Sequence, residues 1–309
     1  MTSTENKPQI SAAQLFCLLM LSRISAEIVY PRSGAGYFAE TLLAIIVTEV
    51  LRLMFGLPVI IYSFKGRDFY RSLSRKNKFL GYSGAIIAAL LLLGAAYRTI
   101  NSVSVFAGRN LLLGAPTYIM IGFTVAFAVY AAFNGIEAIA RSGVLFLVGA
   151  AIVTLIVVLA DIRYMRADGV SAPARAPYAD FLEDVIERFL RGGEYIAFAV
   201  LLPYVKRKRM SSGGAVLYFA LFSAIAAVVL CGFYALTLRE VYGLVEFPFT
   251  AAASMADIVL LKRLDAVSAA AWTLCAAMRT ALFIFCAWKA LLVPFSAMKS
   301  NEKRKQYET

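Results

Sequence analysis

The chain has 309 residues, of which 61% are hydrophobic, and its formal net charge at neutral pH is +12. Because soluble domains are about 45–50% apolar, this composition excludes an ordinary soluble protein and predicts an integral protein of the lipid bilayer. The basic residues cluster in loops beside apolar segments. That placement fits anchoring at the cytoplasmic face of a membrane and argues against a nucleic-acid partner.

The residue types also restrict the chemistry. The chain has no histidine, which removes the usual general base and the commonest metal ligand. Its four cysteines lie in apolar segments and form no C-x-x-C pair, so we interpret them as small buried hydrophobic residues. The sequence has no Gly-rich nucleotide loop and no nucleophile elbow. We therefore expect no catalytic residue, no metal site, no cofactor and no enzymatic activity.

Hydropathy predicts a single transmembrane domain over residues 1–309 with eight membrane-spanning segments. The eight segments cover residues 12–31, 39–63, 80–105, 115–134, 140–162, 189–205, 213–238 and 266–295. Lys and Arg outside these segments are more numerous on the side that holds both termini. By the positive-inside rule, the amino and carboxyl termini are then both predicted to be cytoplasmic.

The first two predicted spans contain charges at helical spacing. A charge within a span costs about 2.5 kcal/mol or more, so each needs a partner or a polar cavity. Arg23 and Glu27 are four residues apart and share a helix face, and Glu49 and Arg52 are three apart. We interpret both as ion pairs. The Pro/Gly-rich stretch from Tyr30 to Gly36 predicts that the outer part of the first span is unwound.

The third span and the segments before two later spans contain further polar features. Arg98 follows Tyr97 deep in the third span and lies close to Asn101. Residues 178–190 and 247–264 have the pattern of amphipathic helices at the membrane interface. Either helix could act as an outer lid, or could be a surface helix without a gating role.

The sixth predicted span is unusual because its apolar part is too short. Tyr195 to Val205 is only eleven residues, so the span must include Gly192, Gly193 and Glu194 to cross the bilayer. Irregular backbone at that depth is tolerated only where it faces protein or a polar cavity. A short span interrupted by glycine is also the best sequence indication of a binding site in transporter-like folds.

Arg279 lies midway along the eighth span and has no partner at helical spacing. Together with Arg98 and Glu194 it gives three unpaired charges in three different spans. Such charges are expected to meet in a polar cluster. The cluster is either a ligand-facing site or a buried network of salt bridges, and buried ion pairs alone are weak evidence of function.

Several local motifs, taken in order, resemble those of a known family. They are Ile10–Phe16, Phe64–Asp68, Gly135–Arg141, Gly193-Glu194 with Leu202–Val205, and Phe247-Pro248 with Arg263–Ala266. They are similar to the spore germination proteins, the B subunit of endospore nutrient-germinant receptors, within the amino acid–polyamine–organocation transporter superfamily. The resemblance extends over most of the chain, from the first to the eighth span.

The resemblance implies an all-α, LeuT-like bundle of two inverted five-helix repeats in which helices one and six are broken. It implies a small germinant, often an amino acid, bound between these breaks and walled by helices three and eight. The corresponding residues of this chain are Ser25, Ala26, Glu27, Tyr97, Arg98, Asn101, Gly192, Gly193, Glu194, Tyr195 and Arg279. It further implies location in the spore inner membrane or cell membrane, with an A-type membrane subunit and a C-type lipoprotein as partners.

Three functions are compatible with these features. The first is a receptor subunit that binds a nutrient and signals to partner subunits. The second is a permease coupled to an ion or proton gradient, with Glu194 as the coupling site. The third is a purely structural subunit of an assembly. The family has ten spans and this sequence predicts eight, so a full transport cycle is less expected than ligand binding.

Overall fold

The computed structural model describes residues 10–32, 38–64, 77–111, 116–167, 178–206, 212–256 and 264–307. Over these ranges the protein is helical, apart from loops and one isolated parallel bridge between Ile10 and Val205. The α-helices are α1 Ala12–Val29, α2 Phe38–Phe64, α3 Lys78–Asn110, α4 Thr117–Phe133, α5 Gly135–Asp161, α6 Tyr178–Arg191, α7 Glu194–Leu201, α8 Ser212–Leu238, α9 Pro248–Met255 and α10 Leu264–Tyr307. Short 3-10 helices follow at Ile162–Tyr164, Leu202–Tyr204 and Arg239–Gly243.

Six of the described helices are long and apolar enough to cross a membrane, namely α1, α2, α3, α5, α8 and α10. The predicted fourth span corresponds to α4, an apolar helix of 17 residues. The predicted sixth span, residues 189–205, is not one continuous helix, because α6 ends and α7 begins within it. Large apolar side chains such as Phe55, Phe79 and Phe133 are exposed on the outside of the bundle. The protein is therefore an integral membrane protein whose apolar surface faces lipid.

Local sequence explains where the first helix begins and ends. The Ser11 hydroxyl accepts a hydrogen bond from the Gln14 N–H at 3.1 Å, and the Ser11 N–H donates to Gln14 Oε1 at 2.8 Å. This reciprocal cap fixes the start of α1. The expected unwinding from Tyr30 to Gly36 agrees with the end of α1 at Val29, although residues 33–36 lie outside the described residues, and the helix itself is continuous through the predicted site residues 25–27. The helix stops only where Pro31 forces Tyr30 into an extended conformation.

The helix α5 begins earlier than predicted, at residue 135 and not at 140. Only Asn134 separates it from α4, so the chain must turn within one or two residues. Gly135 has a φ of +87°, a conformation that favours glycine and allows the turn. The motif Gly135–Arg141, whose first five residues were predicted to connect two spans, thus forms the first turns of a helix.

The two predicted interfacial helices have different outcomes. The first is α6, which packs against α2 and α3 and whose arginines are turned inward. In the second, residues 247–264, the described helical part is α9, and residues 257–263 lie outside the described residues. Most of α9 is buried against α8 and α10, so it is part of the bundle and not a surface helix.

The centre of the bundle is formed by α1 and α10. The helix α10 packs against α1, α3, α4 and α5, and its Trp272, Arg279 and Phe283 side chains are fully buried. The helix α1 in turn contacts α5, α8 and α10. At the start of α1, Ile10 exchanges backbone hydrogen bonds with the segment after α7. At the other end of α7, Glu194 accepts a hydrogen bond from Ser22 of α1. The short helix α7 is therefore linked to α1 close to both of its ends.

A close contact with Gly56 positions α7 on α2. The ring of Tyr195 lies so near Gly56 that a Cβ atom there would be 2.6 Å from Tyr195 Cδ1. Only glycine allows this approach, because a methyl group would have to displace a half-buried aromatic ring. Gly56 is thus required by packing and not by backbone conformation.

We predict that Gly56→Ala lowers the free energy of unfolding by about 1–3 kcal/mol, the usual cost of overpacking. The matched control is Gly94→Ala on α3, where an added Cβ meets nothing within 4 Å. That change is expected to be neutral or slightly stabilising, because alanine is the better helix former. Thermal unfolding of the purified variants in detergent measures both. Equal stability of the two variants would contradict the packing argument.

Candidate functional site

The chain leaves helical geometry at two adjacent glycines, which we call the glycine break. The helix α6 ends at Arg191, residues Gly192 and Gly193 are non-helical, and α7 starts at Glu194. The Gly192 N–H bonds back to the Phe189 carbonyl at 3.0 Å, which closes the last turn of α6. The break therefore separates an amphipathic helix from a short buried one.

Both glycines are in close contact with side chains from other helices. A Cβ atom on Gly192 would lie 2.7 Å from Arg52 Nε, and one on Gly193 would lie 3.1 Å from the Phe283 ring. These approaches bring α2 and α10 against the backbone from two sides. A side chain at either position would push these neighbours out of place.

The carboxylate of Glu194 connects α7 to α1 and α10. The side chain is 2% exposed. Its Oε1 accepts a hydrogen bond from the Ser22 hydroxyl at 2.8 Å and lies 3.6 Å from Arg279 Nη2. Its Oε2 accepts from the Gly193 N–H at 3.0 Å. The buried charge is thus satisfied by a hydroxyl, a backbone amide and a guanidinium.

Arg279 is the cation at the centre of this arrangement and is completely buried. Its Nη1 donates to the Ser22 carbonyl at 2.7 Å, and its Nη2 donates to the Arg191 carbonyl at the end of α6. The guanidinium carbon lies 4.9 Å from the Phe283 ring centroid and 5.6 Å from that of Tyr30. The last carbonyls of a helix carry partial negative charge. Arg279 therefore stabilises two negative groups, the carboxylate of Glu194 and the carbonyl end of α6.

A second group of ion pairs lies between α1, α2 and α6. Arg23 Nη2 is 3.0 Å from Glu27 Oε1 and 2.5 Å from Glu49 Oε1. Arg52 Nη1 is 2.7 Å from the same Glu49 oxygen. Arg188 Nη1 is 2.9 Å from Glu27 Oε2. The two predicted pairs, one in each of the first two spans, are confirmed, and Arg23 joins them into one network.

Two more contacts attach α6 to this network. Arg52 Nη2 donates to the Arg188 carbonyl, so a second guanidinium satisfies the end of α6. Arg188 Nε in turn lies 3.0 and 2.9 Å from the two Asp184 carboxylate oxygens. Burial acts to lower the pKa of the Arg188 guanidinium, but the charges of Glu27 and Asp184 outweigh it and raise that pKa above its ordinary value. Arg188 therefore stays protonated.

We call these residues the charge cluster. Its members are Arg23, Glu27, Glu49, Arg52, Arg188, Arg191, Glu194 and Arg279. Asp184 pairs with Arg188 and Glu187 pairs with Arg191, so among the described residues the five arginines meet five carboxylates. The guanidinium nitrogens Arg23 Nε, Arg23 Nη1, Arg52 Nε, Arg191 Nε and Arg279 Nε are nevertheless buried without a hydrogen-bond partner in the described structure. The cluster therefore has unused donors that suit an additional anionic group.

The structure brings together some of the predicted site residues. Glu27, Gly192, Gly193, Glu194 and Arg279 lie at the charge cluster or the glycine break. The side chains of Ser25 and Ala26 are buried in the same part of α1.

Other predicted site residues lie elsewhere. Arg98 was expected to be unpaired in the cluster, but it pairs with Glu187 on α6 at 2.9 Å and is about one-third exposed. Tyr97 is 66% exposed and points away from the bundle, so it does not line the cluster. Tyr195 packs on Gly56 and Phe219. Asn101 is half-buried further along α3.

Sequence reasoning missed several members of the site. Arg188 and Arg191 were interpreted as loop or interfacial basic residues, yet both are buried. Ser22 was not singled out, although it bonds both to Glu194 and to Arg279. One available signal was the spacing of Ser22 and Ser25 on α1 beside a charged residue. The arginines of α6 gave no signal, because an amphipathic helix usually places them in water.

The polar cavity that adjoins Glu27 and Arg188 of the cluster is small. A cavity of about 30 Å³ is lined by Glu27, Tyr30, Arg188 and Arg191, together with residues of α8 and α9. Such a volume holds on the order of one water molecule. The Tyr30 hydroxyl and Thr99 Oγ1 are 3.0 Å apart beside it and connect α1 to α3. The described conformation is therefore closed around its own charges.

We predict that Arg279→Gln lowers the free energy of unfolding by about 3–5 kcal/mol, because it leaves a buried carboxylate without its cation. The control is Arg141→Gln, which removes an exposed guanidinium that pairs with Glu137 one helical turn away. That change is expected to cost no more than about 0.5 kcal/mol. Unfolding followed by tryptophan fluorescence measures both. A loss for Arg279→Gln no larger than for the control would show that the cluster is not stabilised as described.

Comparison with known proteins comes from a family model. The model described as spore germination protein matches residues 9–301, which include the whole charge cluster and the glycine break. No curated protein matches the chain.

Proposed function

The chain belongs to the spore germination protein family, and we propose that it is the membrane subunit of a nutrient-germinant receptor. In this proposal it binds a small nutrient, an amino acid or a similar solute, from outside. It then passes a conformational change to an A-type membrane subunit and a C-type lipoprotein. Both termini are cytoplasmic, and the membrane is the spore inner membrane or the cell membrane.

The observation that supports this proposal most is the position of the charge cluster at the glycine break. Five helices, α1, α2, α6, α7 and α10, contribute charges or carbonyl groups to one buried site. A purely structural network needs no interruption of the backbone. Here the two glycines allow α6 and α7 to change their relative angle, while the ion pairs hold them in one arrangement.

The charges match the two ends of an amino acid. The carboxylate of a bound amino acid would meet unpartnered guanidinium nitrogens, including Nε of Arg191 and of Arg279. Its ammonium group would meet Glu194, which faces the same centre. Charge-assisted hydrogen bonds of this kind are about twice as strong as neutral ones, and they distinguish an amino acid from a neutral solute. We propose a LeuT-like arrangement with a broken sixth helix as the fold that presents these groups.

Binding requires an opening of the described conformation. The polar cavity of about 30 Å³ is far below the roughly 300–1,000 Å³ of ordinary small-molecule sites. A ligand would therefore have to displace Arg188 and Arg191 from their partners and move α6 away from α1 and α2. The ligand binds the open or rearranged state more tightly, so it shifts the population toward that state. This shift is the proposed signal.

The second candidate function is a permease coupled to a proton or ion gradient. It is favoured by one observation, the fully enclosed carboxylate of Glu194 beside the glycine break. Protonation of Glu194 would weaken its attraction to Arg279 and its acceptance of the Ser22 hydroxyl. The same residue would then couple a proton to the movement of a solute.

The test of the receptor is Glu194→Gln in spores that lack the native chain. Glutamine keeps the size of the side chain and one acceptor oxygen, for Ser22 or for Gly193, but loses the charge that faces Arg279, so the response is compared at equal amounts of the chain in the spore membrane. The nutrient concentration for a half-maximal response is expected to rise at least about tenfold, because a charge-assisted bond to the ammonium group is lost. The measurement is the fall in optical density after nutrient addition, with the amount of the chain in spore membranes determined in parallel.

The control is Glu137→Gln, which removes an exposed carboxylate on α5, and its response should equal that of the native chain. An unchanged response of the Glu194→Gln spores would exclude the proposed site. Uptake of labelled amino acids by the purified chain in liposomes separates the two candidate functions. Accumulation that depends on a proton gradient and is abolished by Glu194→Gln would establish the permease and overturn a receptor without transport.

A further inference from the structure

A second and much larger cavity lies on the outside of the bundle. It has a volume of about 520 Å³ and is bounded by α2, α3, α7 and the end of α6. We call it the lateral groove. Its walls are formed largely by apolar side chains, among them Phe55, Val59, Ile87, Leu91 and Ile196. The volume falls within the roughly 300–1,000 Å³ range of small-molecule sites.

The lateral groove opens toward lipid and not toward water. Phe55 on α2 is 72% exposed, and Ile87 and Leu91 on α3 are also exposed at its rim. Both helices are apolar enough to cross the membrane, and these rim residues lie well inside them. A molecule that enters the groove therefore comes from the hydrocarbon region of the bilayer.

The floor of the groove is not apolar. Arg52 lines it, with a side chain only 4% exposed, and its Nε has no hydrogen-bond partner among the described residues. Gly192 has no side chain to cover this edge of the guanidinium group. Arg52 shares its Glu49 partner with Arg23, so one carboxylate serves two cations. A buried donor without a partner is costly, and more so when it is charged.

We propose that the lateral groove is a binding site for a single-chain fatty carboxylate taken from the membrane. The hydrocarbon chain lies along the apolar walls, and the carboxylate accepts a hydrogen bond from Arg52 at the floor. The unpartnered Arg52 Nε–H is a charged donor, which favours an anionic acceptor over an alcohol, an ester or an amine. The groove adjoins the proposed nutrient site, with which it shares Arg52 and the glycine break, but the observations that support it do not depend on that function.

The depth of Arg52 selects the single-chain acid over an ordinary bilayer lipid. Arg52 lies near the middle of the 27-residue helix α2, so it is far from the headgroup layer at either surface. A phospholipid keeps its phosphate at that layer and reaches the groove only with an acyl chain. A fatty acid is small enough to bring its charged end to the floor. Its carboxylate would then contact the backbone of Gly192 and Gly193 at the glycine break between α6 and α7.

The test uses the purified full-length chain in nanodiscs of phosphatidylcholine and a diazirine-bearing palmitic acid as the photoreactive probe. The acid is expected to label peptides of α2, α3 and α7, and unlabelled palmitic acid should compete. The methyl ester of the same probe is expected to label these peptides at least about tenfold less, because the charge-assisted hydrogen bond is lost. Equal labelling by acid and ester would show ordinary lipid contact and would overturn the proposal.

Two variants test the floor and the walls separately. Arg52→Gln should reduce labelling by the acid to the level of the ester, but it also removes an ion pair and could impair folding. Ala88→Phe therefore fills the groove without removing a charge, since Ala88 lines the cavity on α3. Leu90→Phe is the matched control, because Leu90 is exposed on the same helix and is not among the residues that line the groove. Labelling by the acid that persists in Ala88→Phe would contradict the site. Crosslinks between two copies of the chain at these peptides, in place of labelling by the probe, would contradict it as well.

Discussion

The centre of this protein depends on how the interrupted backbone at the end of α6 is satisfied away from water. Two guanidinium groups, those of Arg52 and Arg279, donate to the carbonyls of Arg188 and Arg191. Each arginine comes from a different long helix, α2 or α10, and each also approaches a carboxylate. The end of a helix with free carbonyls inside a membrane protein is costly unless such donors are present. The carbonyls that are left free at the glycine break need the arginines as donors, and Gly192 leaves the room that the Arg52 side chain occupies.

The same arrangement would let the proposed site respond to a ligand. Ion pairs join α6 to α1, whereas α10 packs on α3 over a much larger interface. A charged ligand competes with the first kind of contact and leaves the second intact. Movement is thus expected at α6, on a frame formed by α1, α3 and α10. Because several guanidinium nitrogens of the charge cluster have no hydrogen-bond partner among the described residues, an anionic group would add attraction to the site.

The sequence predicts the parts of the structure that follow from local pattern. The long spans follow from runs of apolar residues, and the position of the break follows from two glycines before a short apolar segment. The pairs of Arg23 with Glu27 and of Glu49 with Arg52 follow from helical spacing. What it does not predict is which distant charges meet. Arg98 finds Glu187 on a helix that was expected to lie at the interface, and Tyr97 faces outward because α3 presents the opposite side to the bundle. These outcomes depend on helix packing, which a single sequence does not specify.

We propose that the junction of α6 and α7 is the part of the protein that responds to nutrient. Hydrogen exchange tests this on the purified chain in nanodiscs, with the twenty common amino acids added one at a time. For any amino acid that triggers the spores, we expect changed exchange in residues 184–198 and unchanged exchange in α5. An amino acid that triggers the spores and binds the chain while exchange at this junction stays unchanged would contradict the claim.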